Sequence, residues 1–360
     1  MTNERILVTG GAGFIGSKLT RALAAYGHRL WVLDNLLPQV HGENAEFSKI
    51  DGDVAFCRGD VADSDTMRRI VAEARPQLVY HLAADTGTGQ SFTEVSRCCR
   101  TNVMGTATLI DVLRAQAPEL RRMVIASSRA VYGEGAYEGA SGRIVVPPPR
   151  RESDMREGRF VPFHPEERGL RPVPTGEGVP CEPCSVYGST KLAQEQIARQ
   201  IALAAPWDVC VLRLQNVYGP GQSLHNPYTG VLSLFVRLLL AGRSIEVFED
   251  GEITRDFVFV SDVVEALMLA GWAAPTDGRA INIGTGTGTT ILEAALQLGR
   301  VVGRSPRAIR VTGAYRIGDI RHAIADTRHA AAVLGWRPKI DFPAGAAALV
   351  DWARPFAAGV

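Results

Sequence analysis

The sequence predicts an α/β protein built on a doubly wound parallel sheet, with a smaller mixed α/β domain towards its C-terminal end. Over about the first 128 residues, short apolar runs alternate with longer amphipathic stretches, which is the pattern of repeated βαβ units. A glycine-rich segment joins the first apolar run to the first amphipathic stretch. The chain has 360 residues, 46% of them hydrophobic, which is enough for a large core and roughly two structural units.

Five short runs rich in β-branched residues predict buried strands: ILVTG, LWVLDN, FCRGDV, LVYHLAA and MVIASS. Between them, SKLTRALAAYG and SDTMRRIVAEA carry apolar residues at helical spacing, and Gly27 is a suitable helix stop. Because strands and helices alternate, we expect a parallel sheet with helices on both faces.

The texture changes between about residues 134 and 183, where Pro, Gly and charged residues predominate without a sustained period. We expect an excursion or lid there, and not a strand-helix unit. The segment SVYGSTKLAQEQIARQIA then predicts an amphipathic helix and VCVLRLQNVYGP a strand that runs into a turn. Short strands (SIEVFE, RDFVFV, AINIG) and the helix DVVEALMLAGW follow. The predicted domains are residues 1–215 and 216–360, with some chain crossing between them.

Composition excludes several classes of protein. Lys and Arg total 39 against 38 Asp and Glu, a net charge of +1, so we expect no nucleic-acid partner and no membrane partner. The N-terminal segment has no apolar stretch of secretory length, which favours the cytoplasm. The only C-x-x-C, Cys181 and Cys184, lacks a second ligand pair, so we expect loop thiols and no metal.

The glycine-rich segment ILVTGGAGFIGSKL predicts a dinucleotide site. Gly10, Gly13 and Gly16 lie where a strand gives way to a helix, and a side chain there would block the turn, the pyrophosphate or the helix packing. The helix N-terminus would supply N–H groups to the phosphates. The alternative is a plain strand-helix turn in an α/β protein that binds no dinucleotide.

An acidic residue, Asp34, ends the second predicted strand 18 residues after Gly16. Its carboxylate can accept hydrogen bonds from ribose hydroxyls and would repel a 2′-phosphate, so NAD is favoured over NADP. Together these features predict a Rossmann-type fold. The predicted cofactor residues along this path are Gly10, Gly13, Phe14, Ile15, Gly16, Asp34, Asn35, Asp60, Val61, Leu82, Ala83 and Ala84.

Tyr187 and Lys191 form the pattern Y-x-x-x-K. On a helix the two side chains share one face, one turn apart. A lysine ammonium beside a phenol stabilises the phenolate and so makes Tyr187 a usable acid or base near neutral pH. The Y-x-x-x-K motif alone is common on surface helices. It is more informative here because it follows a complete set of predicted cofactor-binding segments.

The motifs TGGAGFIG, HLAA, SSRAVYG, YGSTK, LRLQNVYGP, RDFVFVSD and INIGTG cover nearly the whole chain. Together they resemble the series found in the extended short-chain dehydrogenases/reductases that act on nucleotide sugars. The resemblance implies that Ser128 hydrogen-bonds the sugar hydroxyl being oxidised, with Ser127 less favoured and packing the strand instead. It implies that Tyr187 and Lys191 also contact the cofactor, and that Asn102 lies on the cofactor side, the alternative being an internal helix hydrogen bond.

Dehydratases of this family carry an acidic pair directly after the Ser/Thr position, whereas this chain has Arg129 and Ala130. Dehydration is therefore disfavoured. The strings NPYTGVLSLF, FEDGEITRDFV and YRIGDIRHAIAD are most similar to the branch that epimerises dTDP-L-rhamnose at C4. The resemblance then implies NAD-dependent C4 epimerisation of a nucleotide-diphosphate sugar, most similar to a dTDP-linked 6-deoxyhexose, through a 4-keto intermediate.

On the same resemblance, Asn216, Arg255 and Arg316 would hold the diphosphate and Asp319 would lie near the base or ribose. Gln222, Asn226 and Tyr228 would line the pocket, although N-P-Y is also ordinary turn chemistry. The family commonly forms homodimers through two helices, here TATLIDVLRAQA and the Tyr187 helix. The alternatives left open are a 4-ketoreductase, a UDP-uronate decarboxylase, a UDP-sugar 4-epimerase and a non-catalytic dinucleotide sensor.

Overall fold

A seven-stranded parallel sheet forms the centre of the computed structural model, which describes residues 3–43, 45–224, 230–276 and 278–359. The strands in chain order are β1 (Arg5–Thr9), β2 (Arg29–Asp34), β3 (Val54–Arg58), β4 (Leu78–His81), β5 (Arg122–Ser128), β6 (Tyr137–Glu138), β7 (Ile144–Val145), β8 (Arg171–Pro172), β9 (Asp208–Leu214), β10 (Asn216–Tyr218), β11 (Ile245–Val247), β12 (Thr254–Arg255), β13 (Phe257–Phe259), β14 (Ala280–Ile283), β15 (Thr289–Thr290), β16 (Ile309–Val311) and β17 (His322–Ala323). The central sheet has the order β14-β9-β5-β4-β1-β2-β3. The carboxyl ends of its strands therefore share one edge.

The helices in chain order are α1 (Phe14–Ala25), α2 (Pro38–His41), α3 (Ser64–Ala74), α4 (Val95–Cys99), α5 (Gly105–Gln116), α6 (Glu152–Arg156), α7 (Val186–Ala202), α8 (Val231–Leu240), α9 (Val260–Trp272), α10 (Ile291–Val302), α11 (Arg328–Leu334) and α12 (Phe342–Ala353). A π-helical turn, Arg100–Met104, joins α4 to α5. Gly27, with φ +82°, follows α1 and ends it, as predicted. Within the described residues, no helix is both long and apolar enough to cross a membrane.

Helices cover both faces of the central sheet because successive strand residues point to opposite sides. In β1, Ile6 and Val8 pack into a core with α1 and α9, whereas Leu7 packs into a second core with α3, α5 and α7. Apolar residues on both faces explain why these strands lack polar alternation in the sequence. The predicted doubly wound fold and the five predicted strands β1 to β5 are confirmed. The prediction that all five are buried is wrong for β3, which lies at the edge of the sheet and is only partly buried.

A third core lies in the C-terminal part of the chain, where α8, α10 and α12 pack against β11 and β13. The smaller sheets of this part are β10-β13, β11-β16 and β15-β12-β17. The chain also returns to the central sheet, since β14 pairs in parallel with β9 and α9 packs on α1. The division near residue 215 remains a prediction, and β14 is a segment that crosses it.

The Pro-rich excursion has more structure than its sequence predicts. Three two-residue strands form a small antiparallel sheet, β7-β6-β8, and α6 adds a single helical turn. Strands this short leave no periodic signal. The excursion therefore lies on the molecule as a shaped segment that connects β5 to α7.

A buried ion cluster, formed by Arg150, Glu134, Glu249 and Arg321, attaches the excursion to the C-terminal part. Arg150 donates from Nε to Glu134 (3.1 Å) and from Nη1 to Glu249 (2.9 Å), while Arg321 donates from Nη1 to Glu249 (2.8 Å). Arg150 Nη2 also donates to the Asp319 carbonyl at 2.8 Å. The Arg150, Glu134 and Glu249 side chains are 3%, 1% and 0% exposed. Charged groups this deeply buried are stable only when opposite charges and hydrogen bonds compensate for the loss of water.

A neutral histidine is buried between β1, β4, α5 and α7. His81 is 1% exposed, with Nδ1 2.7 Å from Thr9 Oγ1 and Nε2 2.8 Å from Thr106 Oγ1. Gln194 Nε2 lies 3.3 Å from His81 Nε2. Burial, with a smaller contribution from the Lys191 charge, lowers the pKa of His81 to about 3.

This histidine makes the fold sensitive to acid. Between about pH 6.5 and pH 3 the unfolded chain binds a proton at His81 that the folded protein does not, so stability falls as the pH falls through that window. We expect a contribution approaching about 1.4 kcal/mol per pH unit. Urea unfolding across the window should show a shallower slope for His81→Asn. His329→Asn, in α11 outside this cluster, should keep the wild-type slope, and equal slopes for all three proteins would contradict the assignment.

Candidate active site

The turn between β1 and α1 can be built only from glycine at two positions. Gly10 has φ +72°, and a Cβ there would lie 2.6 Å from the Ala83 amide nitrogen. A Cβ at Gly16 would overlap the Gly10 carbonyl oxygen. Gly13 is the N-cap of α1, so Phe14, Ile15 and Gly16 form its first turn. The open space and the free N–H groups of that turn fit a dinucleotide pyrophosphate.

A cleft of about 280 Å³ lies at the carboxyl ends of β1, β2, β3 and β4. Predicted residues that line it are Gly10, Gly13, Asp34, Asn35, Asp60, Val61, Leu82, Ala83 and Ala84. Lining residues that the sequence did not single out are Leu33, Leu37, Val40, His41, Gly59, Asp85, Arg97, Arg100 and Thr101. The last three lie in helical turns, and no local sequence motif marks their positions.

Two acidic groups in the cleft are held by backbone amides. Asp34 accepts from the Ala12 N–H at 3.1 Å and from the Leu36 N–H at 2.9 Å. Asp60 accepts from the Ala62 N–H at 2.8 Å. These hydrogen bonds fix the direction of each carboxylate, so that Asp34 can present its remaining lone pairs to a ribose.

Asn102 is fully buried in the π-helical turn. Its Oδ1 accepts from the Asp85 N–H at 2.8 Å, and its Nδ2 donates to the Asp85 carbonyl (3.0 Å) and to Thr190 Oγ1 (2.9 Å). Asn102 therefore joins the chain after β4 to the helix that carries Lys191. These hydrogen bonds join separate elements and are not the bond within its own helix that the sequence left as an alternative. A cofactor contact for Asn102 remains a prediction.

Helix α7 brings Tyr187 to the carboxyl end of β5. Ser185 caps the helix by accepting from the Gly188 N–H at 3.1 Å. Gly188 then permits close packing, because a Cβ there would lie 2.5 Å from the Ala130 carbonyl oxygen. Gly188 was not among the predicted site residues, although its place within the YGSTK motif was a usable signal.

Ser128 ends β5 beside Tyr187. Burial, the largest effect, raises the pKa of Tyr187, whereas the nearby Ser128 hydroxyl lowers it. The net shift is opposite to the one predicted for a phenol beside Lys191, because desolvation of the phenolate outweighs its favourable contacts. Ser128 Oγ also accepts from the Ala130 N–H at 3.2 Å, which fixes its rotamer. The structure therefore brings together the two hydroxyls that the sequence assigned to proton transfer.

Lys191 follows Tyr187 by one helical turn and is 3% exposed. Burial lowers the pKa of Lys191 to about 8, and the Glu195 carboxylate one turn further along opposes that shift. The ammonium is thus poised to lose its charge close to neutral pH. Such tuning is typical of catalytic groups.

We expect this titration in the pH profile of activity. Because the charged lysine stabilises the Tyr187 phenolate, kcat/KM should fall as the pH rises through about 8. Arginine does not titrate in this range, so Lys191→Arg should lose that alkaline inflection even if its activity is lower. An inflection near the same pH in Lys191→Arg would show that another group titrates.

A buried chain of polar groups lies behind Lys191. Ser127 Oγ lies 2.5 Å from Glu195 Oε1, Arg213 donates to Glu195 at 2.7 Å and to the Tyr132 hydroxyl at 2.8 Å, and that hydroxyl donates to Asn282 Oδ1 at 2.8 Å. Ser127 is thereby held within the core. This arrangement supports Ser128 over Ser127 as the serine that faces a substrate.

A second group of polar residues lies near Tyr187 on the C-terminal side. Arg255 is 4% exposed and donates to Asp319 at 2.5 Å and to the Thr254 carbonyl at 2.8 Å. Arg129 Nε donates to Asn216 Oδ1 at 3.1 Å. The structure thus brings three of the predicted substrate residues, Asn216, Arg255 and Asp319, around Arg129.

The remaining predicted substrate residues lie differently. Arg316 is exposed and its guanidinium lies 4.7 Å from the centre of the Phe248 ring. Gln222 is buried and accepts from Ser233 Oγ at 2.9 Å. Asn226 and Tyr228 are outside the described residues. Substrate contacts for all four remain predictions.

Neither thiol of the C-x-x-C has a reactive environment. Burial raises the pKa of Cys181 and raises that of Cys184 to about 11. Within the part of the chain that the structure describes, no group of three or more His, Cys, Asp or Glu side chains could hold a metal ion.

A model of the NAD dependent epimerase/dehydratase family matches residues 6–157 and 164–284 of the chain. The chain belongs to this family. The membership predicted from its motifs is therefore confirmed, and the glycine turn, the acidic residue after β2 and the Tyr187–Lys191 helix are features of a member of an NAD-dependent family of enzymes.

Relatives of this epimerase/dehydratase family member extend over nearly its whole length. The dTDP-L-rhamnose 4-epimerase of Burkholderia thailandensis is 40% identical over 350 residues, which cover 97% of this chain and 94% of that protein. The UDP-glucose 4-epimerase of Thermotoga maritima, solved with UDP-glucose, is 30% identical, with a TM-score of 0.79 and coverage of 98% and 99%. The UDP-glucose 4-epimerase of Thermus thermophilus, solved with NAD, is 28% identical, with a TM-score of 0.76 and coverage of 97% and 99%.

Proposed function

We propose that this protein is an NAD-dependent nucleotide-sugar 4-epimerase whose substrate is a dTDP-linked 6-deoxyhexose. The observation that carries the proposal is the arrangement of Ser128, Tyr187 and Lys191 at the end of β5, without a carboxylate at position 129 or 130. The 40% identity to a dTDP-L-rhamnose 4-epimerase supports the reaction and the choice of nucleotide sugar.

In the proposed reaction, Tyr187 removes the proton of the sugar 4-hydroxyl while the C4 hydride leaves. Ser128 orients that hydroxyl, and the Lys191 ammonium stabilises the Tyr187 phenolate that accepts the proton. Tyr187 is then a neutral phenol, and it gives the proton back to the 4-oxygen when hydride returns. Bound NAD supplies a hydride acceptor that is regenerated within each turnover. The resulting 4-keto sugar turns about its diphosphate link, and hydride then returns to its other face.

The residue after Ser128 supports epimerisation over dehydration. Loss of water from the sugar needs an acid and a base in addition to Tyr187. Ala130 has no ionisable group, and Arg129, whose lowered pKa is still about 10, is protonated at neutral pH and cannot act as the base. Oxidation followed by reduction at C4 requires only the three side chains already described.

The cleft supports NAD as the cofactor. Asp34 closes β2 and is held towards the glycine turn by the Ala12 amide. A 2′-phosphate would meet this carboxylate, whereas ribose hydroxyls would donate to it. We expect tight retention of NAD, because the enzyme must keep the reduced cofactor bound until hydride returns to the sugar.

Two further features belong to the proposal. We place the protein in the cytoplasm. We also propose a homodimer paired through α5 and α7, since the apolar side chain of Met104, just before α5, is 57% exposed. Light scattering of the purified protein would measure its mass in solution.

A panel of nucleotide sugars tests the function. Purified protein is incubated with dTDP-L-rhamnose, UDP-glucose and UDP-glucuronate without added cofactor, and the products are identified by NMR. We expect catalytic conversion of the dTDP sugar to its 4-epimer. Consumption of a stoichiometric reductant, or release of carbon dioxide from the uronate, would instead indicate a ketoreductase or a decarboxylase.

A further inference from the structure

Arg129 lies between the reacting hydroxyls and the Arg255 site. It follows Ser128 directly, in the 3₁₀ turn Arg129–Tyr132, and its Nε donates to Asn216 Oδ1 at 3.1 Å. Among the described residues, no carboxylate lies within ion-pair distance of its guanidinium, and neither Nη group donates a hydrogen bond to the protein. Two forked donor groups are therefore available in a half-buried position.

The charge of Arg129 is not balanced locally. Burial, and after it the charge of Arg255, lower the pKa of Arg129 to about 10, while Asp319 and Tyr187 oppose this shift. Arg255 has Asp319 as a counter-ion at 2.5 Å. Asp319 is thus the ion-pair partner of Arg255, and Glu134, which also acts on Arg129, is already paired with Arg150. An anion bound between the two neighbouring guanidinium groups would supply the missing charge and the missing acceptors.

We propose that Arg129 binds the sugar-proximal phosphate of the nucleotide diphosphate together with Arg255, and so holds the point about which the keto sugar turns. The first part concerns binding of a nucleoside diphosphate and does not depend on the sugar or the base. The second part rests on the proposed epimerase function. Asn216 positions the Arg129 fork through the Nε hydrogen bond.

The position of Arg129 favours the phosphate next to the sugar. Adjacent Cα atoms are about 3.8 Å apart, so Arg129 is anchored beside the serine that faces the sugar hydroxyl. Arg255, in β12, and its partner Asp319 belong to the C-terminal part of the chain. A diphosphate running from the sugar towards that part would pass Arg129 first.

Binding measurements without any sugar test this assignment. The affinities of dTDP and dTMP, or of UDP and UMP if the wild type prefers uridine, are measured by calorimetry on the NAD-loaded enzyme. We expect Arg129→Gln to weaken the diphosphate about 10- to 100-fold, the loss of charged hydrogen bonds, and the monophosphate less than about threefold. Arg129→Lys, which keeps the charge, should fall between wild type and Arg129→Gln. Arg143→Gln, an exposed residue of the excursion, should bind both ligands as wild type does.

The outcomes separate the proposal from its rivals. An unchanged ratio of diphosphate to monophosphate affinity in Arg129→Gln would overturn it. An unchanged ratio of diphosphate to monophosphate affinity, together with a selective loss of nucleotide-uronate binding, would mean that Arg129 binds a sugar carboxylate instead. Because these binding measurements involve no turnover, they test the role of Arg129 even if the protein shows no epimerase activity.

A turnover experiment checks the second part. If Arg129 holds the point of rotation, Arg129→Gln should release 4-keto sugar and accumulate reduced cofactor during reaction with the nucleotide sugar. A residue that only stabilises the fold would lower the melting temperature without this accumulation. Absence of both released ketone and reduced cofactor, with the diphosphate affinity already weakened, would contradict the role in rotation.

Discussion

Replacing Tyr187 with phenylalanine should lower kcat by about 10²- to 10⁴-fold, the range expected for loss of an acid/base group. The substitution removes one hydroxyl beside Ser128 and leaves the ring in place on α7. The glycine turn and Asp34 lie on β1 and β2 and do not contact this hydroxyl, so NAD content should be unchanged. Initial rates on the nucleotide sugar and the absorbance of bound cofactor measure the two effects.

A matched variant controls for the loss of a tyrosine hydroxyl elsewhere. Tyr26, which follows α1 and is 55% exposed, offers Tyr26→Phe with full activity expected. Ser128→Ala should reduce kcat in the same direction as Tyr187→Phe, by a smaller factor. Wild-type turnover in Tyr187→Phe would remove Tyr187 from the reaction, whereas loss of NAD in that variant would show that its effect is structural.

The largest effect on stability is expected at Arg150. In Arg150→Gln, Glu249 keeps its ion pair with Arg321, whereas Glu134 remains buried without a cation, and leaving a buried charge unpaired costs about 3–5 kcal/mol. The Asp319 carbonyl also loses its donor, so the Arg255–Asp319 pair should loosen. Urea unfolding measures the free energy, and KM for the nucleotide sugar should rise together with the instability.

Arg143 supplies the comparison for this prediction. It lies in the same excursion and pairs with Glu166, but the two side chains are 61% and 65% exposed. Arg143→Gln should change the free energy of unfolding by less than about 1 kcal/mol. Equal effects of Arg150→Gln and Arg143→Gln would mean that the buried ion cluster does not attach the excursion to the C-terminal part.

The features that the sequence predicted well are local. Strands β1, β2, β4 and β5 are largely buried on both faces and therefore appear as continuous apolar runs, whereas the edge strand β3 is only partly buried. The glycine turn was predictable because Gly10 requires a positive φ and Gly16 a close approach, two demands that only glycine meets. Tyr187 and Lys191 share one helix face, so their spacing carried the information directly.

The features that it missed depend on contacts between distant residues. Arg150 and Glu249 are 99 positions apart, and Glu134 meets the Arg321 amide across 187 positions. No periodic pattern records such pairs. In the sequence, position 129 was informative only because it lacks an acidic residue. The role of Arg129 as a cation follows from the fold, which places Arg255 and Asn216 beside it.

Transfer of the C4 hydrogen tests the central claim most directly. A dTDP-6-deoxyhexose carrying deuterium at C4 is converted by the purified enzyme without added cofactor, and the product is analysed by NMR and mass spectrometry. We expect the 4-epimer with deuterium retained at C4, because hydride leaves and returns within one active site. Loss of the label to solvent, or an unchanged configuration at C4, would contradict it.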